Sequence, residues 1–108
     1  MKYRVVIQPS AAEEIDAAFG HLASHASTNA AVRWFNKLDS RLDTLSRMPR
    51  RCPIAPEDRY FEEEIRHLIM APYRILFTVR PGRVDILHVR HMSQRTLGEP
   101  DEPDPLDE

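Results

Sequence analysis

Cysteine is nearly absent from this chain, since Cys52 is the only one among 108 residues. A single cysteine cannot form an internal disulfide framework or a cysteine-lined metal site. Long apolar runs are missing too, and no stretch approaches the roughly 20 residues that span a bilayer. The apolar run near Met1 is too short for a secretory signal. The sequence therefore predicts no membrane association, and the cytoplasm is the expected compartment.

Lysine is scarce, because 13 of the 15 basic residues are arginine. The net charge of −2 conceals an asymmetry: residues 99–108 hold six acids and no base, which leaves 15 bases facing 11 acids in the rest of the chain. Arginine binds phosphate or carboxylate groups through a planar, bidentate contact. This composition favours a phosphate-rich or acidic partner, although a solvated basic surface is the alternative.

The length predicts one domain over residues 1–98, followed by an acidic, proline-rich tail over residues 99–108. The tail has too little apolar content to bury surface and is expected to be flexible. It either folds back onto a basic face as a phosphate mimic or only helps to keep the chain in solution.

Cofactor-binding motifs are also missing. The sequence contains neither a phosphate-binding loop nor a dinucleotide fingerprint. His21 and His25 have the spacing of a helical metal pair, but no third ligand accompanies them. Cys52 follows Arg51, which could lower the pKa of its thiol, yet no partner for a nucleophile is evident. We therefore expect no metal and no cofactor.

Two segments in the first half have helical periodicity. The first, residues 11–25, follows Ser10 and Glu13 at the spacing of a capping box. The second is preceded by cap candidates at residues 27–29 and is ended by Pro49. Its apolar residues recur every three or four positions: Ala31, Trp34, Phe35, Leu38, Leu42, Leu45 and Met48. Because few residues separate the two helices, they should pack as an antiparallel pair.

The stretch from Tyr73 to His91 predicts a β-hairpin. Apolar and polar residues alternate up to Arg80, Pro81-Gly82 marks a turn, and a denser apolar run begins at Val84. Two more strands are predicted over residues 2–8 and 64–70. The proline-rich loop over residues 49–62 is longer than average, which indicates a functional or mobile segment. A short helix is expected after His91.

These elements predict an α+β fold in the order β-α-α-β-β-β. The two-helix hairpin should cover one face of an antiparallel or mixed sheet and leave the other face open. Alternation along the hairpin directs Tyr73, Ile75, Phe77 and Val79 towards the helices. The open face would then carry Arg74, Leu76, Thr78 and Arg80.

Several motifs resemble the ParE/RelE toxin superfamily of bacterial toxin–antitoxin modules. They are the proline-aromatic-arginine strand from Pro72 to Phe77 and the strand from Val84 to His91 that ends in histidine. A helix ending in Leu-Ser-Arg-Met-Pro49 also fits. The resemblance covers roughly residues 2–95 and is closest to the ParE branch.

Arg74 is the main candidate for chemistry, because ribonuclease members of the superfamily hold the scissile phosphate with an arginine at this position. His91 could serve as a general acid or base. A tight Pro81-Gly82 turn would place Arg74 opposite Val89, with His91 on the same face, but a shift of one residue would turn His91 away. The structural alternatives are an ion pair of Arg74 with Asp85 and a strand-end cap at His91.

Five residues are predicted to bind the target or a phosphate group. Arg66 and His67 are neighbours on one strand and must point to opposite faces, so only one of them can join Arg74. The full set is Arg66, His67, Arg74, Arg80 and Arg95.

One departure from the superfamily bears on the mechanism. Ribonuclease members present a tyrosine after the last strand, whereas this chain has no tyrosine beyond Pro81. The resemblance therefore implies a growth-inhibiting toxin of the plasmid-stabilisation type that binds DNA gyrase and whose partner is a cognate antitoxin. The alternatives are a ribosome-dependent mRNA endoribonuclease and a non-toxic member that acts only as a binding partner. The sequence does not decide whether the chain forms a homodimer.

Overall fold

The computed structural model describes residues 2–99 of the chain. Its helices and strands are β1 (Arg4–Ile7), α1 (Pro9–His25), α2 (Thr28–Thr44), β2 (Arg66–Met70), β3 (Tyr73–Arg80) and β4 (Arg83–His91). Two short 3-10 turns, Pro49–Arg51 and Pro56–Tyr60, lie between α2 and β2. The predicted α+β order is confirmed. The predicted tail lies outside the described residues except for Glu99.

The four strands form one mixed sheet in the order β1-β4-β3-β2. β1 runs parallel to β4, and the other neighbours are antiparallel. The parallel pair is possible because the connection from β1 passes through both helices before the chain returns to the sheet. Of the two sheet types predicted, the mixed one is therefore correct.

The hairpin between β3 and β4 combines a tight turn with a bulge. Arg80 lies opposite Arg83, and Gly82 has a φ of 67°, which glycine adopts without steric cost. Leu87 is an extra residue on β4, because Leu76 pairs with His88 and Phe77 with Ile86. The register expected from a tight turn alone is wrong beyond this bulge, and the predicted alternative of a one-residue shift is confirmed.

The helix ends differ from the predictions in ways that the sequence explains. α1 begins at Pro9, since proline suits the first helical position, and no side chain caps it, so the predicted capping box is wrong. α2 has the expected cap: Ser27 Oγ accepts a hydrogen bond from the Ala30 amide at 3.0 Å. α2 ends at Thr44 rather than near Met48. No helix follows His91 in the described residues.

Both helices pack on one face of the sheet, as predicted. Ile75 and Phe77 of β3 are fully buried there against Leu38 and Leu42 of α2. The buried cluster on this face consists of Ala11, Ile15, Leu38, Leu42, Leu45, Cys52, Leu68, Met70, Ile75, Phe77, Val84, Ile86 and Val89. This cluster fixes the orientation of β3, so alternate residues such as Arg74 point to the other face.

The second face of the sheet is not open, which corrects the prediction. Leu76 is buried there with Ala55 and Ile65, and Leu87 packs against them. The segment between α2 and β2 folds across this face and pairs with β2, where the His67 amide donates to the Pro53 carbonyl at 3.1 Å. This long loop carries enough apolar residues to cover the face, so it is a structural layer.

Candidate functional site

Arg74 lies near the start of β3 on the second face of the sheet and forms a bidentate ion pair with Glu57. Its Nη1 donates to Glu57 Oε1 at 2.9 Å, and its Nη2 donates to Glu57 Oε2 at 2.6 Å. The Glu57 side chain is fully buried, and that of Arg74 is 11% exposed. The predicted structural partner, Asp85, is therefore the wrong carboxylate. Both terminal nitrogens of Arg74 are occupied within the chain.

Glu57 joins three segments through its carboxylate. It belongs to the Pro56–Tyr60 turn, it binds Arg74 on β3, and its Oε2 accepts a hydrogen bond from the Leu97 amide at 3.1 Å. Burial alone would raise the pKa of Glu57, but the hydrogen bonds from Arg74 and Leu97 and the Arg74 charge lower it to about 2. The carboxylate is therefore ionised at neutral pH and neutralises Arg74.

His67 stands beside this ion pair on the same face. Its Nδ1 lies 3.1 Å from Nη1 of Arg74, which can only donate, so Nδ1 is the acceptor and the ring proton is on Nε2. Burial lowers the pKa of His67, and the Arg74 charge lowers it further, against an opposing effect of Glu57. His67 is thus held neutral, and of the five predicted binding residues it is the one placed next to Arg74.

His91 lies on the opposite face of the sheet from Arg74. It is paired with Tyr73, whereas Arg74 is paired with Arg90, because the bulge shifts the register. The His91 ring packs edge-on against the Tyr73 ring at 5.3 Å, and its Nδ1 accepts a hydrogen bond from the Ser93 amide at 3.0 Å. The structure therefore does not bring the two catalytic candidates together.

The other predicted binding residues have separate positions. Arg66 lies on the helix side of the sheet, opposite Phe77, and pairs with Glu64 at 2.8 Å. Arg80 binds Asp85 at 2.8 Å near the hairpin turn. The Arg95 carbonyl accepts a hydrogen bond from Arg90 at 2.7 Å. Arg66 and Arg80 therefore do not converge with Arg74 on one site.

Two acidic residues that were not predicted as site residues connect separate elements of the fold near these candidates. Glu57 is the first of them. Its apolar neighbours Ala55 and Ile65 in the same loop are the sequence feature that could have predicted burial of this segment. Glu14 of α1 is the other: its Oε1 lies 3.1 Å from His88 Nδ1 and accepts from the Val89 amide at 3.1 Å. It fastens the first helix to the last strand.

The structure also bears on the cysteine and the histidine pair. Burial raises the pKa of the Cys52 thiol and outweighs the neighbouring Arg51 and Arg66 charges, so the suggested lowering is wrong. The His21 and His25 rings stack with centroids 4.1 Å apart. Within residues 2–99, no group of three or more potential metal-binding side chains occurs.

A groove of about 500 Å³ lies between α2 and the edge strand β1. Tyr3, Val5 and Ile7 line its strand side, while Leu42 and Asp39 line its helix side. In the described part of the chain, β1 pairs only with β4, so its outer edge has unpaired backbone groups. A groove with both apolar and polar lining residues beside an unpaired strand edge suits an extended or amphipathic polypeptide.

Neither helix in the described residues is long and apolar enough to cross a bilayer. Residues 5–96 match the family model described as the ParE toxin of type II toxin–antitoxin system, parDE. A solved structure described as the chromosomal ParDE TA system from P. aeruginosa has a TM-score of 0.69 and 17% sequence identity, covering 83% of this chain and 96% of that chain. A search of curated proteins found no match. Because the family model spans most of the chain, this protein belongs to the ParE toxin family of type II toxin–antitoxin systems, in which the partner is a cognate antitoxin.

Proposed function

We propose that this toxin arrests growth by binding DNA gyrase in the bacterial cytoplasm rather than by cleaving RNA. The observation that supports a binding mechanism is the bidentate ion pair between Arg74 and buried Glu57. A ribonuclease site would need Arg74 to contact the scissile phosphate and His91 to transfer a proton on the same face. These side chains lie on opposite faces, whereas a binding surface requires no such convergence.

The test combines purified gyrase with the purified chain. We expect inhibition of supercoiling, and growth arrest in cells without new 5′ ends inside translated mRNA. The variant His91→Gln should arrest growth as well as the parent, because the His91 ring contacts Ser93 and Tyr73 on the face opposite Arg74. Unchanged supercoiling at a large excess of the chain would refute the gyrase proposal.

The ribonuclease alternative has one observation in its favour, the contact of His67 with Arg74 on one face. It requires Glu57 to release Arg74 when RNA binds. Cuts inside codons within minutes of induction, lost in His67→Gln, would establish this alternative. If the induced chain causes neither mRNA cuts nor growth arrest, the protein is a non-toxic member that acts only as a binding partner.

We further propose that the antitoxin occupies the groove between α2 and β1. Ile7 and Phe35 are each 44% exposed beside it, and an antitoxin segment could pair with the β1 edge while burying apolar side chains against them. Phe35→Asp should still arrest growth but escape the antitoxin. Ile69→Asp, at the opposite sheet edge and 40% exposed, is the matched control and should remain neutralised. A homodimer stays a prediction, which sedimentation of the purified chain tests.

A further inference from the structure

The turn that follows α2 concentrates positive charge that no acid neutralises. Arg47, Arg50 and Arg51 are all exposed, and within the described residues none of them forms an ion pair with a carboxylate. Asp43 borders the same surface without pairing with it. We call residues 47–51 the arginine turn.

Neutral groups hold two of these arginines in place. Arg50 Nη1 donates to the Tyr3 hydroxyl at 3.1 Å, and Arg51 Nη2 donates to Thr44 Oγ1 at 2.7 Å. A hydroxyl restricts a guanidinium without cancelling its charge, so the side chains are positioned while their charge remains available to a partner.

The backbone of the turn is fixed as well. Arg66 on β2 donates from Nη1 to the Arg50 carbonyl at 3.0 Å and to the Cys52 carbonyl at 2.6 Å. Pro49 is buried beneath the turn. Leu45 and Ser46 are buried on the other side of the turn. The residue directly before Pro49 therefore has little freedom to relax.

That residue is Met48, and neither the backbone nor the core explains a methionine there. It has φ 48° and ψ 52°, a left-handed conformation that costs a non-glycine residue roughly 1–2 kcal/mol. The following Pro49 disfavours the ordinary helical conformation, so glycine or asparagine would suit this position better. The Met48 side chain is also 75% exposed, which excludes a packing role within the described chain.

We infer that the arginine turn binds duplex DNA through the minor groove, with Met48 inserted between base pairs and the flanking arginines on the phosphates. Proteins that enter the minor groove combine an apolar wedge, methionine among them, with arginines beside it. Arginine suits phosphate because of its bidentate geometry, and it favours the narrow minor groove of A·T-rich DNA. This binding does not depend on gyrase, since it needs only the surface of this chain.

The experiment titrates the full chain into a labelled A·T-rich duplex containing a flexible TA step, between about 50 and 200 mM salt. We expect binding that weakens with salt. The Arg47 side chain makes no hydrogen bond within residues 2–99. Arg47→Gln should therefore weaken binding about fivefold at low salt and reduce the salt slope by about 1. Arg33→Gln removes the same charge from the exposed start of α2 and should change the affinity less than about twofold.

Met48→Gly separates binding from folding. It should weaken DNA binding about fivefold, while thermal unfolding occurs at the same or a higher temperature, because glycine relieves the left-handed strain. Binding of this variant as tightly as the parent would overturn the minor-groove assignment.

Three further outcomes would overturn the inference. They are the absence of salt-dependent binding, an equal loss of affinity in Arg33→Gln and Arg47→Gln, and equally tight binding of an RNA duplex of the same sequence. Tighter binding of polyglutamate than of the DNA at matched charge would instead indicate an acidic protein partner and would also reject DNA. None of these results depends on supercoiling inhibition, so this inference and the gyrase proposal can fail separately.

Discussion

Arginine is used in opposite ways on the second face of the sheet and in the arginine turn. On the second face, Arg74 is 11% exposed and both its terminal nitrogens contact fully buried Glu57. In the arginine turn, Arg50 and Arg51 are exposed and bonded to neutral hydroxyl groups. The first arrangement cancels the charge and joins segments of the chain, whereas the second keeps the charge available at the surface.

The difference shows that the partner of an arginine, rather than its place in a motif, decides what it can bind. A buried ion pair contributes little net stability relative to an apolar pair, but breaking one side of it is costly. The Glu57 carboxylate therefore makes the covering loop and the segment around Leu97 depend on Arg74. A free phosphate would have to displace that carboxylate, while it would meet no acid at Arg50 or Arg51.

The same substitution in both regions should give the largest contrast. Arg74→Gln leaves the buried Glu57 charge without its partner and should lower the free energy of unfolding by about 3–5 kcal/mol. Arg47→Gln removes the charge of an exposed side chain and should change the free energy of unfolding by less than about 0.5 kcal/mol. Urea unfolding at pH 7 measures both values.

A surface ion pair provides the control for this contrast. Glu64 is 54% exposed and pairs with Arg66, so Glu64→Gln should cost less than about 1 kcal/mol. A similar loss in Glu64→Gln and Arg74→Gln would mean that burial does not distinguish the two pairs. The double variant Glu57→Leu with Arg74→Met should recover most of the stability lost in Arg74→Gln, because it removes both charges.

The pH dependence of stability should report the same buried pair. The folded-state pKa of Glu57 is lowered from 4.5 to about 2, so the pair stabilises the fold above pH 4.5 and loses this contribution as the pH falls towards 2. The loss should reach about 3 kcal/mol. Urea unfolding between pH 5 and 2 should therefore show a steeper decline for the parent than for Glu57→Gln.

A direct titration of Glu57 distinguishes its contribution to acid sensitivity from that of other carboxylates. The pKa of Asp85 is also lowered, since hydrogen bonds from Arg80, Gln8 and Arg83 outweigh the effect of its burial, and it contributes to the acid sensitivity of both proteins. Carbon-detected NMR of the Glu57 carboxyl group resolves its own pKa. A midpoint above pH 4 would contradict the ion pair as a determinant of acid stability.

The fold was predictable because periodicity reports which face of an element is buried. The alternation that starts at Tyr73 placed Ile75 and Phe77 in the core correctly, and the helical spacing of Leu38 and Leu42 did so for α2. The arrangement around Arg74 was not predictable, since the bulge at Leu87 and the buried Glu57 depend on contacts between residues distant in sequence. Arg74 itself was correctly placed on the second face, but its partner was not.

Replacing Gly98, in the segment around Leu97 that packs against Tyr60, should have an intermediate effect on stability. Gly98 has φ 87°, and a Cβ there would meet Tyr60 Cβ at 2.7 Å. Gly98→Ala should therefore weaken this docking by about 1–3 kcal/mol and expose the Leu97 amide, which donates to Glu57. Hydrogen exchange of that amide should accelerate, while amides of the β3–β4 hairpin keep their protection. Accelerated exchange in the hairpin as well would mean that the segment supports the whole sheet.

The matched substitution in a helix should have the smallest effect and the opposite sign. Gly20 lies on the exposed side of α1, and a Cβ there would meet no atom within 4 Å. Gly20→Ala should therefore raise the free energy of unfolding by about 0.5–1 kcal/mol, because alanine loses less conformational freedom in a helix. Urea unfolding beside Gly98→Ala measures the difference. A loss of stability in Gly20→Ala would show that the low helix propensity of glycine does not limit the stability of α1. The glycine-to-alanine substitution would then no longer distinguish Gly98, which is constrained, from Gly20, which is not.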